Sequence, residues 1–150
     1  MASNRHLSRI AVIQTLFAYE ARGEDPEVLL MYIVEGFHPQ IKEIEFAQDN
    51  LRGVLKKIKD IKKIIKKTAP EWPFEKIAPI DRVILEQGIY EIIASPDVPP
   101  VVAINEAIEV AKEFGNENSP KFINGVLSTV MKAHKPDSKW QIASHPSKKK

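Results

Sequence analysis

The stretch VVAINEAIEVAKEFG, residues 101–115, followed by SPKFINGVL, residues 119–127, decides the fold class. Apolar side chains recur there at three- and four-residue steps, the spacing of one helical face. Val101 to Phe114 reads as a helix, with Gly115 where a C-terminal cap belongs. Ser119 reads as the cap of a last helix with Pro120 in its first turn. Phe122, Ile123, Val126, Leu127, Val130 and Met131 give that helix its apolar face.

Upstream the same periodicity returns. Ile10, Ile13, Leu16 and Phe17 mark a helix over Asn4 to Ala21, ended by Gly23-Glu24-Asp25. Asp25 reads as an N-cap with Pro26 at the first helical position, and the stripe Val28, Leu29, Tyr32, Ile33 stops near Gly36. His38-Pro39 opens a further segment. From Gln40 to Thr68 the pattern is helical but long for one straight rod, so a break is expected near Gly53 or Lys59. Ala69 to Pro79 is proline-rich connector. Pro79 opens a helix bearing Ile80, Val83, Ile84, Gly88 and Ile92, and the prolines of Ser95 to Pro100 end it. No stretch alternates as a strand does. The expectation is an all-α, compact bundle of about seven helices in residues 1–136, with 137–150 a flexible basic tail.

The 150 residues, 43% of them hydrophobic, suit one domain with a single core. Cysteine is absent, which rules out disulfides and thiolate metal sites. The N-terminus lacks the apolar core of a signal peptide, and no apolar run could span a bilayer, so a cytoplasmic protein is expected. The net charge of +2 conceals a separation. Arg52, Lys56, Lys57, Lys59, Lys62, Lys63, Lys66 and Lys67 face a single nearby acid, Asp60. Asp81 to Glu117 is strongly acidic. A basic face attracts phosphate backbones through counterion release, though a solvated helix face explains the same lysines. An acidic face suits a basic protein.

Nothing points to catalysis. His6, His38, His134 and His145 are scattered, without the close spacing that metal ligands on one helix show. There is no glycine-rich phosphate loop and no nucleophile elbow. Glu106 and Glu109, three apart on one helix, read as surface carboxylates. No enzyme activity, cofactor or metal is expected.

Two stretches carry more than composition. Ile104-Asn105-Glu106-Ala107, Phe114-Gly115 and Lys121-Phe122-Ile123-Asn124-Gly125-Val126-Leu127 resemble the C-terminal signature of the NusB family of transcription antitermination proteins. Asp81-Arg82-Val83-Ile84-Leu85 with Tyr90-Glu91, and Asp97-Val98-Pro99, are similar to the segments before it. Arg5, His6 and Arg9, with Gln14, Leu16 and Phe17, resemble the family's arginine-rich start and its Gln-x-Leu-Tyr segment. The resemblance spans about residues 5 to 133 and is densest after residue 80.

The resemblance implies an all-α fold of two small helical subdomains. It implies a factor that binds the boxA element of nascent RNA together with NusE, a small-subunit ribosomal protein. That assembly would help the RNA polymerase elongation complex read through terminators, notably in ribosomal RNA operons. By position the RNA-binding residues would be Arg5, His6, Arg9, Phe17, Asn118, Lys121 and Phe122, and the NusE-facing ones Asp81, Glu86 and Glu91. The alternative is an interaction scaffold, or an accessory module akin to the helical domain of RNA cytosine methyltransferases. A homodimer that hides the RNA surface stays open.

Each residue has a plainer reading. Arg5 and Arg9, one turn apart, could reach one phosphate track or simply decorate a helix start. Phe17 and Phe122 lie on apolar stripes, where packing competes with base stacking. Lys121 sits in a first helical turn, where the dipole disfavours a cation unless an anion is near. Asn118-Ser119 reads as capping the last helix, Asn105 as bonding the backbone, and Gly125 as allowing close helix contact. The sequence departs from the family at Leu7, which interrupts the arginines, and at Phe17, which lacks the tyrosine hydroxyl. The lysine-rich section could supply some of the missing basic contact.

Overall fold

The computed structural model describes residues 3–134. The expected tail, 137–150, lies outside them. Among the described residues the chain forms α1 (Asn4–Arg22), α2 (Pro26–Phe37), α3 (Glu45–Lys56), α4 (Ile58–Thr68), a 3-10 turn (Phe74–Lys76), α5 (Pro79–Ala94), α6 (Pro100–Phe114) and α7 (Ser119–His134). None of these helices is long and apolar enough to cross a membrane.

Local chemistry sets most of the boundaries. Gly23 ends α1 with φ 72°, and its N–H donates to Tyr19 O; an L side chain there would be strained. The Asp25 carboxylate accepts from the Glu27 amide at 2.9 Å, as an N-cap should. The long helical run is broken at Lys57, between the two expected positions. Gly53 stays within α3 for a different reason: a Cβ there would meet the Tyr90 ring of α5. The run also starts later than Gln40, because Ile41 donates to His38 O at 3.0 Å in a turn and buries its side chain.

α5 is the central helix, packed against α1, α3, α4, α6 and α7. Val83, Ile84, Leu85, Ile89 and Ile92 are wholly buried. α1, α2 and α3 gather on one side and α6 and α7 on another, joined through one continuous apolar core. Gly88 lets α7 approach: a Cβ there would stand 2.9 Å from Leu127 Cδ1. Arg82 ties the connector to the bundle, donating from Nη1 to Ile77 O and from Nη2 to Glu20 Oε1, each at 2.7 Å.

Gly125 does not have the packing role expected of it, since a Cβ there meets nothing within 4 Å. It is an exposed glycine inside a helix. Gly125→Ala should therefore stabilise the chain by about 0.5–1 kcal/mol through helix propensity and reduced unfolded-state entropy. Urea unfolding checks this, and a loss of stability would contradict the open space described.

Candidate nucleic-acid interface

The start of α1 is fixed by short polar contacts. Ser3 Oγ accepts from the His6 amide at 3.1 Å. Asn4 Oδ1 accepts from the amides of Lys42 at 3.0 Å and Glu43 at 3.3 Å, which staples α1 to the α2–α3 connection. Arg5 is thereby left exposed, its guanidinium 4.6 Å from the centre of the Phe46 ring. That distance permits a cation–π contact. His6 turns toward α6, with Nδ1 2.7 Å from Glu106 Oε1.

Arg9 is a correction. It lies one turn beyond Arg5 but points inward, and it is buried. Its Nε donates to Glu91 Oε1 at 2.8 Å and its Nη2 to Glu91 Oε2 at 3.1 Å, a bidentate pair, while Nη1 stands 3.4 Å from Glu106 Oε1. The polar chain continues inward: Asn50 Nδ2 donates to Glu91 Oε2 at 3.5 Å, and Gln87 Nε2 to Asn50 Oδ1 at 3.1 Å. A guanidinium so committed leaves no face for a phosphate.

The expected acidic partner face of α5 is corrected as well. Glu91 is 0% exposed and belongs to that buried pair. Glu86 is buried on another side of α5, in a cavity of about 80 Å³ beside Leu16, Tyr19, Glu20, Leu55, Ile58 and Lys62. Burial, reinforced by Glu20, lifts its carboxyl from the ordinary 4.5 to about 7, against the pull of Lys62 and Arg82. Asp81 is buried at the first turn of α5. The reason is topological: a helix surrounded by five others presents almost no outer face. The exposed acids of this region are Asp97, Glu109, Glu113 and Glu117.

The remaining residues lie around the α6–α7 turn and the start of α5. Between α6 and α7, Asn116 Oδ1 accepts from the Asn118 amide at 2.8 Å, and Ser119 Oγ accepts from the Asn116 amide at 3.0 Å. Ser119 thus braces the turn rather than capping α7. Gly115 has an extended backbone, and its role is spatial, since a Cβ would meet the Ser119 side chain. The braced turn exposes Asn118 on the rim of a groove of about 340 Å³, lined also by Trp72, Lys76, Ile77, Ala78, Asp81, Asn116 and Phe122. Trp72 and Phe122 meet edge to face with centroids 6.0 Å apart. Asp81 Oδ1 lines this groove without a hydrogen-bond partner among the described residues.

A second, shallow groove of about 480 Å³ lies next to it, formed by Gln14, Phe17, Pro79, Ile80 and Phe114. The two share the start of α5. Phe17 is 44% exposed, so its ring is open to a stacking partner rather than absorbed in the core. Lys121 is exposed in the first turn of α7 but does not line either groove. Asn105 is exposed as well, and its side chain makes no backbone hydrogen bond among the described residues. The structure therefore places Asn118 and Phe122 in one groove and Phe17 in the other, and sets Arg5 about 18 Å from Phe17 along α1.

The arrangement is a surface of half-open aromatic rings, amide groups and cations, suited to an extended polyanion with bases. The chain as a whole matches known proteins directly. The sequence fits the profile of the NusB family over residues 6–132. This chain belongs to the NusB family. The transcription antitermination protein NusB of a Nitratiruptor species is 38% identical over 136 residues, which cover 91% of this chain and 97% of that protein. That of Dehalococcoides mccartyi (strain CBDB1) is 40% identical over 134 residues, covering 89% and 93%. Among solved structures, T. maritima NusB superposes with a TM-score of 0.81 at 35% identity, over 94% of this chain and 99% of that one. A complex of the antitermination factors NusB and NusE with double-stranded RNA contains a chain with a TM-score of 0.78 at 27% identity, over 89% and 99%.

Sequence reasoning about this NusB-family chain missed Trp72, Lys76, Phe46 and Phe114. The first two sit in a connector that reads as merely proline-rich, although its Trp-Pro-Phe run is a visible signal. Phe114 belongs to the Phe114-Gly115 pair of the family signature but reads there as a helix end, and Phe46 reads as an ordinary helix residue and carries no signal.

Proposed function

We propose that this chain is a transcription antitermination factor that binds boxA-type nascent RNA jointly with a NusE-type ribosomal protein. It acts by binding, not by catalysis. The two adjoining grooves at the start of α5 support the RNA reading most strongly. Phe17, Phe122 and Trp72 offer ring faces and edges to unstacked bases, Asn118 and Asp81 offer amide and carboxylate partners, and Lys76 stands at the rim. Arg5 and Lys121 supply cations for the backbone, His6 adds an imidazole held by Glu106, and Arg9 holds α1 in place from beneath. The NusE half rests on family membership and on the NusB–NusE complex with RNA that this fold resembles. The exposed acids Asp97, Glu109, Glu113 and Glu117 are the surface for that basic partner. The joint complex would then be carried by the RNA polymerase elongation complex. A homodimer formed through Phe17 and Phe114 would cover the same groove, so self-association and RNA binding compete.

Titration of labelled boxA-type RNA with and without NusE tests this. Affinity should rise when NusE is present and fall steeply with salt. Trp72→Ala should weaken RNA binding about tenfold, since stacking on an aromatic ring contributes about 1–3 kcal/mol per base. RNA affinity indifferent to both NusE and Trp72 would sink the reading, and NusE binding without RNA binding would leave a protein scaffold instead.

A further inference from the structure

Resting on that reading, we propose that the lysine face of α4 extends the RNA track beyond the aromatic groove as a segment that grips backbone without reading bases. α4 buries Ile61 and Ile65 completely, which turns Lys59, Lys63, Lys66 and Lys67 to solvent. None of these four forms an ion pair among the described residues, whereas Arg52 pairs with Glu27, Arg82 with Glu20 and Lys112 with Glu109. Lys59 and Lys63, and Lys63 and Lys67, stand at i and i+4, where like charges repel along a helix. The helix itself offers one acid, Asp60, and the connector adds Glu71 and Glu75 against Lys76. A run of cations left uncompensated in this way is relieved by an external polyanion.

Continuity with the groove makes that polyanion the RNA. The Nζ atoms of Lys62 and Lys66 each lie 5.7 Å from the centre of the Phe74 ring, and the Arg82 guanidinium lies 5.4 Å from it. Phe74 is two residues from Trp72, whose ring meets Phe122 across the groove. The strand leaving Trp72 therefore runs onto Lys66 and along α4. Because cations already occupy Phe74, that ring is not free to stack a base. The lysines also carry no fork for recognising base edges. The segment therefore adds affinity and salt dependence but no sequence preference.

The test compares two single-stranded RNAs on the full chain: a short one carrying only the boxA-type element, and the same element extended on both sides. The wild type should bind the extended RNA about tenfold more tightly at low salt. The triple variant Lys63→Gln, Lys66→Gln, Lys67→Gln should lose that advantage, keep its affinity for the short RNA, and show a salt slope smaller by about 2. Glutamine keeps helix propensity at exposed positions, and Lys59→Gln with Lys63→Gln, which spares the Phe74 contact, should lose part of the same advantage. Equal affinity of wild type and both variants for the extended RNA, with equal slopes, overturns the proposal. If the short RNA binds and depends on Trp72 while the lysines are silent, only this extension fails. If neither RNA binds the wild type, the proposed function falls with it.

Discussion

Arg9→Met should lower the unfolding free energy by about 3–5 kcal/mol, the usual consequence of leaving one charge of a buried pair without its partner. Glu91 is 0% exposed, and both its oxygens accept from the Arg9 guanidinium, at 2.8 and 3.1 Å. Once that guanidinium is gone, only the 3.5 Å contact from Asn50 remains to it. Methionine preserves an apolar stem of similar length, so the effect reports charge rather than a cavity. Adding Glu91→Leu to the same chain should restore most of the loss, because both ions then leave the interior together. Urea unfolding of the two variants measures this. A single variant within about 1 kcal/mol of wild type would show that water reaches Glu91.

Glu86→Gln should act in the opposite direction, with a gain that starts above pH 4.5 and is complete above pH 7. The Glu86 carboxyl titrates at about 7 in the folded chain against an ordinary 4.5, with burial as the main cause. The folded state thus holds the proton more tightly, so stability is greatest below 4.5 and is lost as pH rises toward 7. Across that interval the loss amounts to about 3 kcal/mol at about 1.4 kcal/mol per pH unit. An amide has no charge to bury. At about pH 8 the variant should be more stable by about 3 kcal/mol, and near pH 4 the two proteins should coincide. Parallel pH-stability curves would remove Glu86 as the source of the slope.

These two carboxylates also show where sequence reading stops. The helices were legible because their apolar residues keep helical spacing and their ends carry Gly23, Asp25-Pro26 and the prolines before Val101. Arg5, Phe17 and Asn118 were placed by resemblance and proved to be exposed. The charge pattern misled. Asp81, Glu86 and Glu91 read as one acidic strip, yet Asp81 lines the groove floor while Glu86 and Glu91 face different parts of the interior, because α5 has neighbours on nearly every side. Arg9 and Arg5 share a helical face on paper, but a few tens of degrees decide which one meets Glu91. Linear spacing does not contain that rotation, which depends on how α1 leans on α3 and α5. Trp72 came to the surface beside Phe122 only through a long-range approach of the connector to α7, which no local pattern encodes.

The chain of hydrogen bonds from Arg9 through Glu91 to Asn50 and Gln87 links α1, α3 and α5. Apolar ridges alone would let neighbouring rods slip by one turn, exchanging one aliphatic contact for another at little expense. A directional relay forbids such sliding, since a displacement of about 5.4 Å would strand every donor. The axial alignment of the three rods is thereby quantised. The height at which Arg5 of α1 meets the Phe46 ring of α3 is then a fixed mark on a ruler.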